Sequence, residues 1–353
     1  MVKLDSDNVS DTWRSSRLSA ALRRSIENMD EDLCKFERNF LSSGSYICWA
    51  TDYNDVFDQL KIIFKAGNYH SAVMLDEPKG GILEEIGLPY FLEDEKMTIS
   101  PEGQVQIMVP DLMVADTGAL LLAKDFGYLD LLHNHKPNIF ITSIDRIIGS
   151  VTYAEGYSKM LEALQLRDKG QQFTLFSGSP HSKTYLFIVD NQRTQLLAQK
   201  LQRQALSCVQ CGRCEEVCPV DKIVGKEFYD NVFTGPIGRV VLPFLENVED
   251  YQRVVNACTM CGRCEEVCPI GLPLRDMIIV SRRKFFKEGL LDGSQASAVS
   301  KYKKYVTNRV KLNKPAWWKQ SVLSKYLSHD FKEAFKPLHF EDKTFNQQNT
   351  ENQ

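Results

Sequence analysis

Nowhere in the 353 residues is there an apolar run of about eighteen, the length a membrane-spanning helix needs. The opening stretch, MVKLDSDNVSDTWRSSRLSAALRRS, lacks the apolar core and small-residue cleavage site of a secretory signal. Charge of one sign is missing too. Lysine and arginine total 43 against 46 acidic residues, a net charge of −3, which removes any global electrostatic case for nucleic acid. There is no G-x-G-x-x-G, and Gly80-Gly81 alone reads as a turn. No spacing yields a Ser-His-Asp triad or paired carboxylates, and neither a flavin nor a nicotinamide site is readable. Catalytic residues are therefore not expected. Histidine is scarce at 6; His133 and His135 flank Asn134 in an expected loop, and two histidines alone do not make a metal site.

Cysteine is what the chain has. Eight of its ten cysteines fall in two copies of C-x-x-C-x-x-C-x-x-x-C-P, CVQCGRCEEVCPV from Cys208 and CTMCGRCEEVCPI from Cys258, identical at ten of thirteen positions. Structural zinc wants two separated C-x-x-C pairs at tetrahedral corners, and a triplet followed by C-P has no such reading. The spacing is that of [4Fe–4S] ligation, in which the C-P cysteine of each motif serves the other motif's cluster. Two [4Fe–4S] clusters are expected, one on Cys208, Cys211, Cys214 and Cys268, the other on Cys258, Cys261, Cys264 and Cys218. Gly212 and Gly262 would let backbone approach the cluster. Arg213 and Arg263 stand beside ligands, where they either offset cluster charge or point to solvent. The Glu-Glu-Val runs read as single helical turns. Cys34 and Cys48, left over among Phe36, Phe40, Ile47 and Trp49, read as small buried hydrophobes.

About forty residues separate the motifs, with helical periodicity and an expected Gly235-Pro236-Ile237-Gly238 turn. LPLRDMIIVSRRKFFKEGLL then reads as an amphipathic helix with Leu274, Ile278 and Phe285 near one face. The cluster region should be mainly helical. Upstream, residues 10 to 40 read as a polar helical arm with a Leu18, Leu22, Ile26, Met29 stripe. DVFDQLKIIFKAG and GYSKMLEAL read as helices. SAVMLD, QVQIMV, ALLLA, NIFITS, QFTLFSG and KTYLFIVD read as strands, and RTQLLAQKLQRQALS as one helix running into Cys208. Interleaving of this kind predicts an α/β sheet covered by helices.

Three turns stand where such sheets bind ligands: Val114–Gly118, Ser143–Arg146, and Ser177–Lys183, the last with the anion-friendly pair His181 and Lys183. Ordinary turn and cap chemistry is the favoured reading of each. From Ser281 to Tyr326 basic and aromatic residues interleave. No nucleic-acid fold accompanies them, so partner docking with Trp317 and Trp318 as anchors, or packing on the chain's own core, is expected. The final EDKTFNQQNTENQ is polar enough for disorder. Four segments follow: an arm at 1–40, an α/β domain at 41–195, a helical ferredoxin domain at 196–290 and a basic-aromatic tail at 291–353.

EEIGL at Glu84, VADTG at Val114, FIVDNQRTQLLA at Phe187, FTGPIG at Phe233 and both cysteine motifs, the second ending in CPIGLPL, together resemble the iron–sulfur subunit of the bacterial lactate-utilisation complex. The likeness spans most of residues 80 to 280. It implies a LUD-type α/β domain, similar to the sugar-isomerase and CoA-transferase fold, followed by a helical two-cluster domain. It also implies a relay of electrons taken from L-lactate as it is oxidised to pyruvate, in company with other subunits. Reduced thiolates for cluster assembly point to the cytoplasm, and peripheral contact with a membrane complex stays open. Where the family has a helical stretch after its G-P-S-K-T-like loop, SGSPHSKTYLFIVD runs straight into a strand, so the α/β domain is expected to be a scaffold or docking surface. The cysteine pattern alone also suits subunits of heterodisulfide-reductase or glycerol-phosphate-dehydrogenase type, or a ligand-binding redox sensor.

Overall fold

The structure, a computed structural model, describes residues 8–74, 90–92, 104–122, 132, 136–164, 173–229, 233–245, 248–290 and isolated positions between 297 and 308. Gly80-Gly81, the EEIGL stretch, His133, His135, Trp317, Trp318 and the final segment lie outside them. By its packing the chain divides into Met1–Arg282 and Arg283–Gln353; the following concerns the first.

Six strands form one sheet, with β1 (Tyr46–Ala50), β2 (Ser71–Met74), β3 (Tyr90–Leu92), β4 (Gln104–Met108), β7 (Asn138–Ser143) and β10 (Thr184–Val189) in the order β1-β10-β7-β4-β2-β3. Every pairing is parallel. Strands of a parallel sheet are covered on both faces and so read as continuous apolar runs. All six residues of NIFITS are buried accordingly. On one face Val105, Ile107, Ile139, Ile141, Phe187 and Val189 meet helix α3 (Tyr53–Gly67) through Val56, Phe57, Leu60 and Phe64. That spacing is one helical stripe. Asp52 caps the start of α3 by accepting from the Asp55 amide at 2.9 Å. Asn68, at φ 53°, ends it in the left-handed conformation that asparagine tolerates.

A second, four-stranded sheet runs β8 (Ile147–Ile148), β5 (Leu112–Val114), β6 (Ala119–Leu122), β9 (Thr174–Phe176). Phe140 of β7 meets Phe176 of β9 with ring centroids 5.4 Å apart. VADTG is the tight turn between antiparallel β5 and β6. Its Gly118, at φ +64°, lies so close to the Asn39–Phe40 backbone that a Cβ would fall 2.5 Å from Phe40 N. Asp116 accepts from the Val151 amide at 3.1 Å, at the start of helix α4 (Val151–Ala163). This turn is therefore spent on packing and capping.

The expected N-terminal arm is two helices, α1 (Asn8–Glu27) and α2 (Met29–Ser42), with Leu18, Leu22, Ile26 and Met29 all buried. Its stripe belongs to the fold: α1 packs on β8, on α4 and on a 3-10 helix at Gln202–Ser207. Cys34 is exposed, not buried as expected, because α2 turns Met29, Phe36 and Phe40 inward and Cys34 away. Cys48 is half-buried on β1 beside the α3 core, and burial pushes its thiol up. RTQLLAQKLQRQALS is not one helix. It is α5 (Arg193–Leu197) followed by that 3-10 helix, whose three-residue repeat turns both Gln202 and Ala205 inward. Strands β1, β3, β5 and β8 carried no alternation long enough to mark them.

The DNQRTQ entry has a physical cause. The Asp190 carboxylate accepts from the Thr194 amide at 2.9 Å and its hydroxyl at 2.6 Å, while Asn191 and Gln192 take φ of 40° and 64° to make the turn. Arg193 then reaches back to Asp145 with Nε 2.6 Å from Oδ1, both side chains buried. Ser143 Oγ donates to the same carboxylate, and Arg146 stands 4.0 Å from its other oxygen. Burial pushes the Asp145 carboxyl up, but Arg193, Arg146 and Ser143 together outweigh it and hold the group below its usual range. Asp145→Asn, which leaves Arg193 buried without its partner, should cost about 3 kcal/mol in urea unfolding; a loss under about 1 kcal/mol would show that Arg193 is otherwise served. Since the folded pKa is depressed, the pair's contribution is complete above the unfolded value of about 3.9 and fades as pH falls through the lower folded value. Wild type should therefore lose its advantage over the variant in that acid window.

Candidate metal centre

The two cysteine loops share one backbone. Cys208 ends the 3-10 helix, Gln210 and Gly212 take φ of 54° and 74°, and a four-residue helix, α6 (Arg213–Glu216), follows. In the second loop Met260 and Gly262 take φ of 61° and 81° before α10 (Arg263–Glu266). Left-handed backbone at Gln210 and Met260 is uncommon for residues with a Cβ. It turns their amides onto Cys208 Sγ and Cys258 Sγ, each at 3.4 Å. The Leu272 amide likewise donates to Cys268 Sγ at 3.4 Å. Amides aimed at sulfur, the contacts expected around a thiolate-held cluster, thus recur in both motifs.

Helix α8 (Gly235–Leu245), nearly all buried, begins at the segment expected to be a turn. Pro236 suits a first helical turn, where its missing N–H leaves nothing unsatisfied. The glycines are there for close approach. A Cβ at Gly235 would lie 2.9 Å from Glu215 Cβ, and one at Gly238 would collide with the Phe233 carbonyl. The start of α8 is thereby seated on α6, and the Ile237 amide hydrogen-bonds Cys214.

Electrostatics divide the eight thiols. Burial pushes Cys208 up to about 11, with Cys268 and Cys211 adding to it. Burial raises Cys214 further, with Cys208, Cys211 and Cys268 contributing. Cys211 is raised by burial and by Cys268, and eased by Arg213. In the other set burial pushes Cys264 up to about 12, and Cys258, Cys261 and Cys218 add to it. Cys218, Cys258, Cys261 and Cys264 line one cavity together with Arg239 and Arg275. Thiols so desolvated stay protonated near neutrality unless a cation supplies the compensating charge. Among the described residues no three His, Cys, Asp or Glu side chains close on a single ion. Four sulfurs around a cavity, rather than one point, suit a cube of irons better than zinc.

Cys218 has a neighbour that the motif does not announce. Arg239 of α8, 0% exposed, donates from Nη1 to Cys218 Sγ at 3.4 Å. Its Nη2 meets Asp221 Oδ1 at 2.6 Å, the Tyr229 hydroxyl donates to that same oxygen, and the guanidinium lies 5.5 Å from the Tyr229 ring centroid. Arginines also hold the loop carbonyls. Arg146 Nη1 donates to Cys208 O at 3.1 Å, Arg23 Nη2 to Ile270 O and Gly271 O at 2.9 Å each, and Arg282 Nη2 to Asn256 O at 2.9 Å and Cys258 O at 2.6 Å. Sequence reasoning missed these contacts; the arginines lie up to 248 positions from what they bind. The Ser177–Lys183 loop is structural too, with Ser43 and Ser45 donating to Ser177 O.

A parallel α/β sheet joined to a helical region whose cysteines suit iron–sulfur ligation defines an iron–sulfur protein, and residues 204–272 match the family model of a 4Fe-4S dicluster domain. The chain resembles lactate utilization protein B of Bacillus thuringiensis (strain Al Hakam), Bacillus cereus (strain AH187) and Bacillus anthracis (strain A0248). Against each it is 29% identical over 190 residues, 52% of this chain and 40% of the relative. It thus spans less than half the length of these relatives. Among solved structures, a DUF162 family protein from Deinococcus radiodurans is 15% identical, covering 46% of this chain and 98% of that one at a TM-score of 0.32. So distant a likeness adds nothing to the sheet order itself.

Seating α8 on backbone makes Gly238 intolerant. Gly238→Ala should lower stability in urea unfolding by about 2 kcal/mol through overpacking. Gly44→Ala, at φ +81° and with nothing within 4 Å of the new methyl, should lose about 1 kcal/mol from its φ alone. Equal losses would show that the Phe233 contact yields freely.

Proposed function

We propose that this chain is an electron-transfer protein carrying two [4Fe–4S] clusters with crossed ligands. Cys208, Cys211, Cys214 and Cys268 hold one, and Cys258, Cys261, Cys264 and Cys218 hold the other. The observation that carries the reading is the exchange of fourth cysteines: Cys268 raises the thiols of the first motif, while Cys218 raises Cys264 and lines the cavity of the second. Each cluster, when bound, supplies a one-electron couple.

The chain's own residues provide the rest. Amides of Gln210, Ile237, Met260 and Leu272 meet the sulfurs, arginines fix the loops, and the packed helices limit water around Cys218 and Cys264. We assign the α/β part to residues 41–195, in the role of scaffold or docking surface, and the cluster part to 196–290. Reduced cysteines for cluster assembly favour the cytoplasm, and the relatives' name, lactate utilization protein B, supports work with other subunits that oxidise L-lactate, whose electrons the chain relays. No helix among the described residues is long and apolar enough to cross a membrane.

Anaerobic purification should yield brown protein with about eight irons per chain. Cys218→Ser should damage the cluster held by the second motif's triplet, read as loss of about half the iron with the first motif's spectrum retained. Two zincs, or damage confined to the first motif, would refute the assignment. With co-purified subunits present, L-lactate should bleach the cluster absorbance, and failure to do so would remove lactate as the electron source.

A further inference from the structure

We propose that Arg239 makes the two sites unequal, holding the couple at Cys218, Cys258, Cys261 and Cys264 at a higher potential than the couple at Cys208, Cys211, Cys214 and Cys268. The inference rests on the two-cluster reading above and adds a direction to it. The motifs are near-copies, so their loops offer each cluster the same amides. The difference lies in the two C-P cysteines. Cys268 receives a neutral backbone amide from Leu272, whereas Cys218 receives a guanidinium. A hydrogen bond from an ionised donor is roughly twice as strong as a neutral one. Reduction adds one negative charge to a cluster, and a fixed positive charge at a ligand sulfur favours the reduced form.

Arg239 is well placed for this. It is fully buried, so solvent screens its charge little. It lines the cavity beside the four cysteines, and its Nε has no hydrogen-bond partner. Asp221 opposes it, but the Tyr229 hydroxyl and the guanidinium both bind that carboxylate. A carboxylate can bond a sulfur only through a thiol proton, which an iron ligand no longer has. The guanidinium can donate to the ligated sulfur itself. Stability does not explain the trio, since a buried ion pair is commonly matched or bettered by apolar side chains of similar volume. At the first site Arg146 donates to the Cys208 carbonyl and not to a sulfur. Exposure does not separate the sites, since the second set holds the exposed Cys261 together with the buried Cys218 and Cys264, while each first-set ligand is partly covered.

With both clusters bound, Cys208, Cys211, Cys214 and Cys268 would hold the donor and Cys218, Cys258, Cys261 and Cys264 the acceptor of a one-electron exchange that makes and breaks no bond, and Cys261 would bring the acceptor site to the surface.

The test is a redox titration of the iron-loaded full chain followed by electron paramagnetic resonance, in wild type, Arg239→Gln and Asp221→Asn. Wild type should show two midpoints. Arg239→Gln should lower the upper one by at least a tenfold change in the reduction equilibrium, about 59 mV for one electron, and leave the lower one in place. Asp221→Asn, which frees the guanidinium of its counter-charge, should raise the upper midpoint. An unmoved upper midpoint in Arg239→Gln with about eight irons retained overturns the inference and leaves the cluster assignment standing. A shift of the lower midpoint instead does the same. If Arg239→Gln fails to hold iron, Asp221→Asn decides, and an upper midpoint that stays or falls overturns the proposal. Wild type with well under eight irons removes the two-cluster reading itself and this inference with it.

Discussion

A loop that turns three sulfurs toward one centre cannot also use all its carbonyls in a helix or a sheet. Both cysteine loops face this constraint, and long arginine side chains from elsewhere in the chain meet it. Arg146, from the turn between β7 and β8, holds the Cys208 carbonyl; Arg23, from α1, holds those of Ile270 and Gly271; Arg282 holds Asn256 and Cys258. A buried carbonyl left without a donor costs about 1–3 kcal/mol, so these contacts govern whether the loops keep one shape. They also tie α1 and the turn after β7 to the cysteine loops within one unit.

The same chain of contacts ties the sheet to the first cysteine motif. Arg146 is fixed by Asp145, Asp145 by Arg193 and Ser143, and Arg193 by the turn that Asp190 caps. That turn follows β10 directly, and Ser143 ends the adjacent parallel strand β7. Rigid strands therefore position a guanidinium on the carbonyl of the first motif's first cysteine. The three turns that stood as pocket candidates are spent this way: Asp116 caps α4, Asp145 anchors arginines, and Ser177 accepts from two serines.

Much of this was legible in the sequence, for reasons that differ by element. NIFITS and KTYLFIVD read as strands because parallel strands bury both faces, and α3 because Val56, Leu60 and Phe64 repeat at helical spacing. YICWA of β1 was missed because an edge strand with half-exposed residues shows neither a continuous run nor clean alternation. The 3-10 break before Cys208 was hidden by good helix formers, since it is burial of Gln202 and Ala205 that selects the tighter repeat. GPIG looked like a turn for its glycines, which in fact let α8 lie against the Glu215 and Phe233 backbone. The cysteines themselves were plain because spacing fixes their chemistry. Their arginine partners were not, because a contact across 62 or 248 residues leaves no periodicity to read.

Duplication makes that last gap consequential. Ten identical positions in thirteen fix two like loops, down to the left-handed residue before the second cysteine and its amide on the first sulfur. The three positions that differ carry no charge, so neither motif brings a cation of its own that the other lacks. Inequality enters through the forty residues between them, which put α8, and with it Arg239, against Cys218 alone. The equivalent position at Cys268 is met by the chain's own next turn, at Leu272. A short connection between the motifs would leave no room for a helix there. The length of the insert, first a sign that the cluster region is helical, is therefore also what allows two copies of one motif to differ electrostatically.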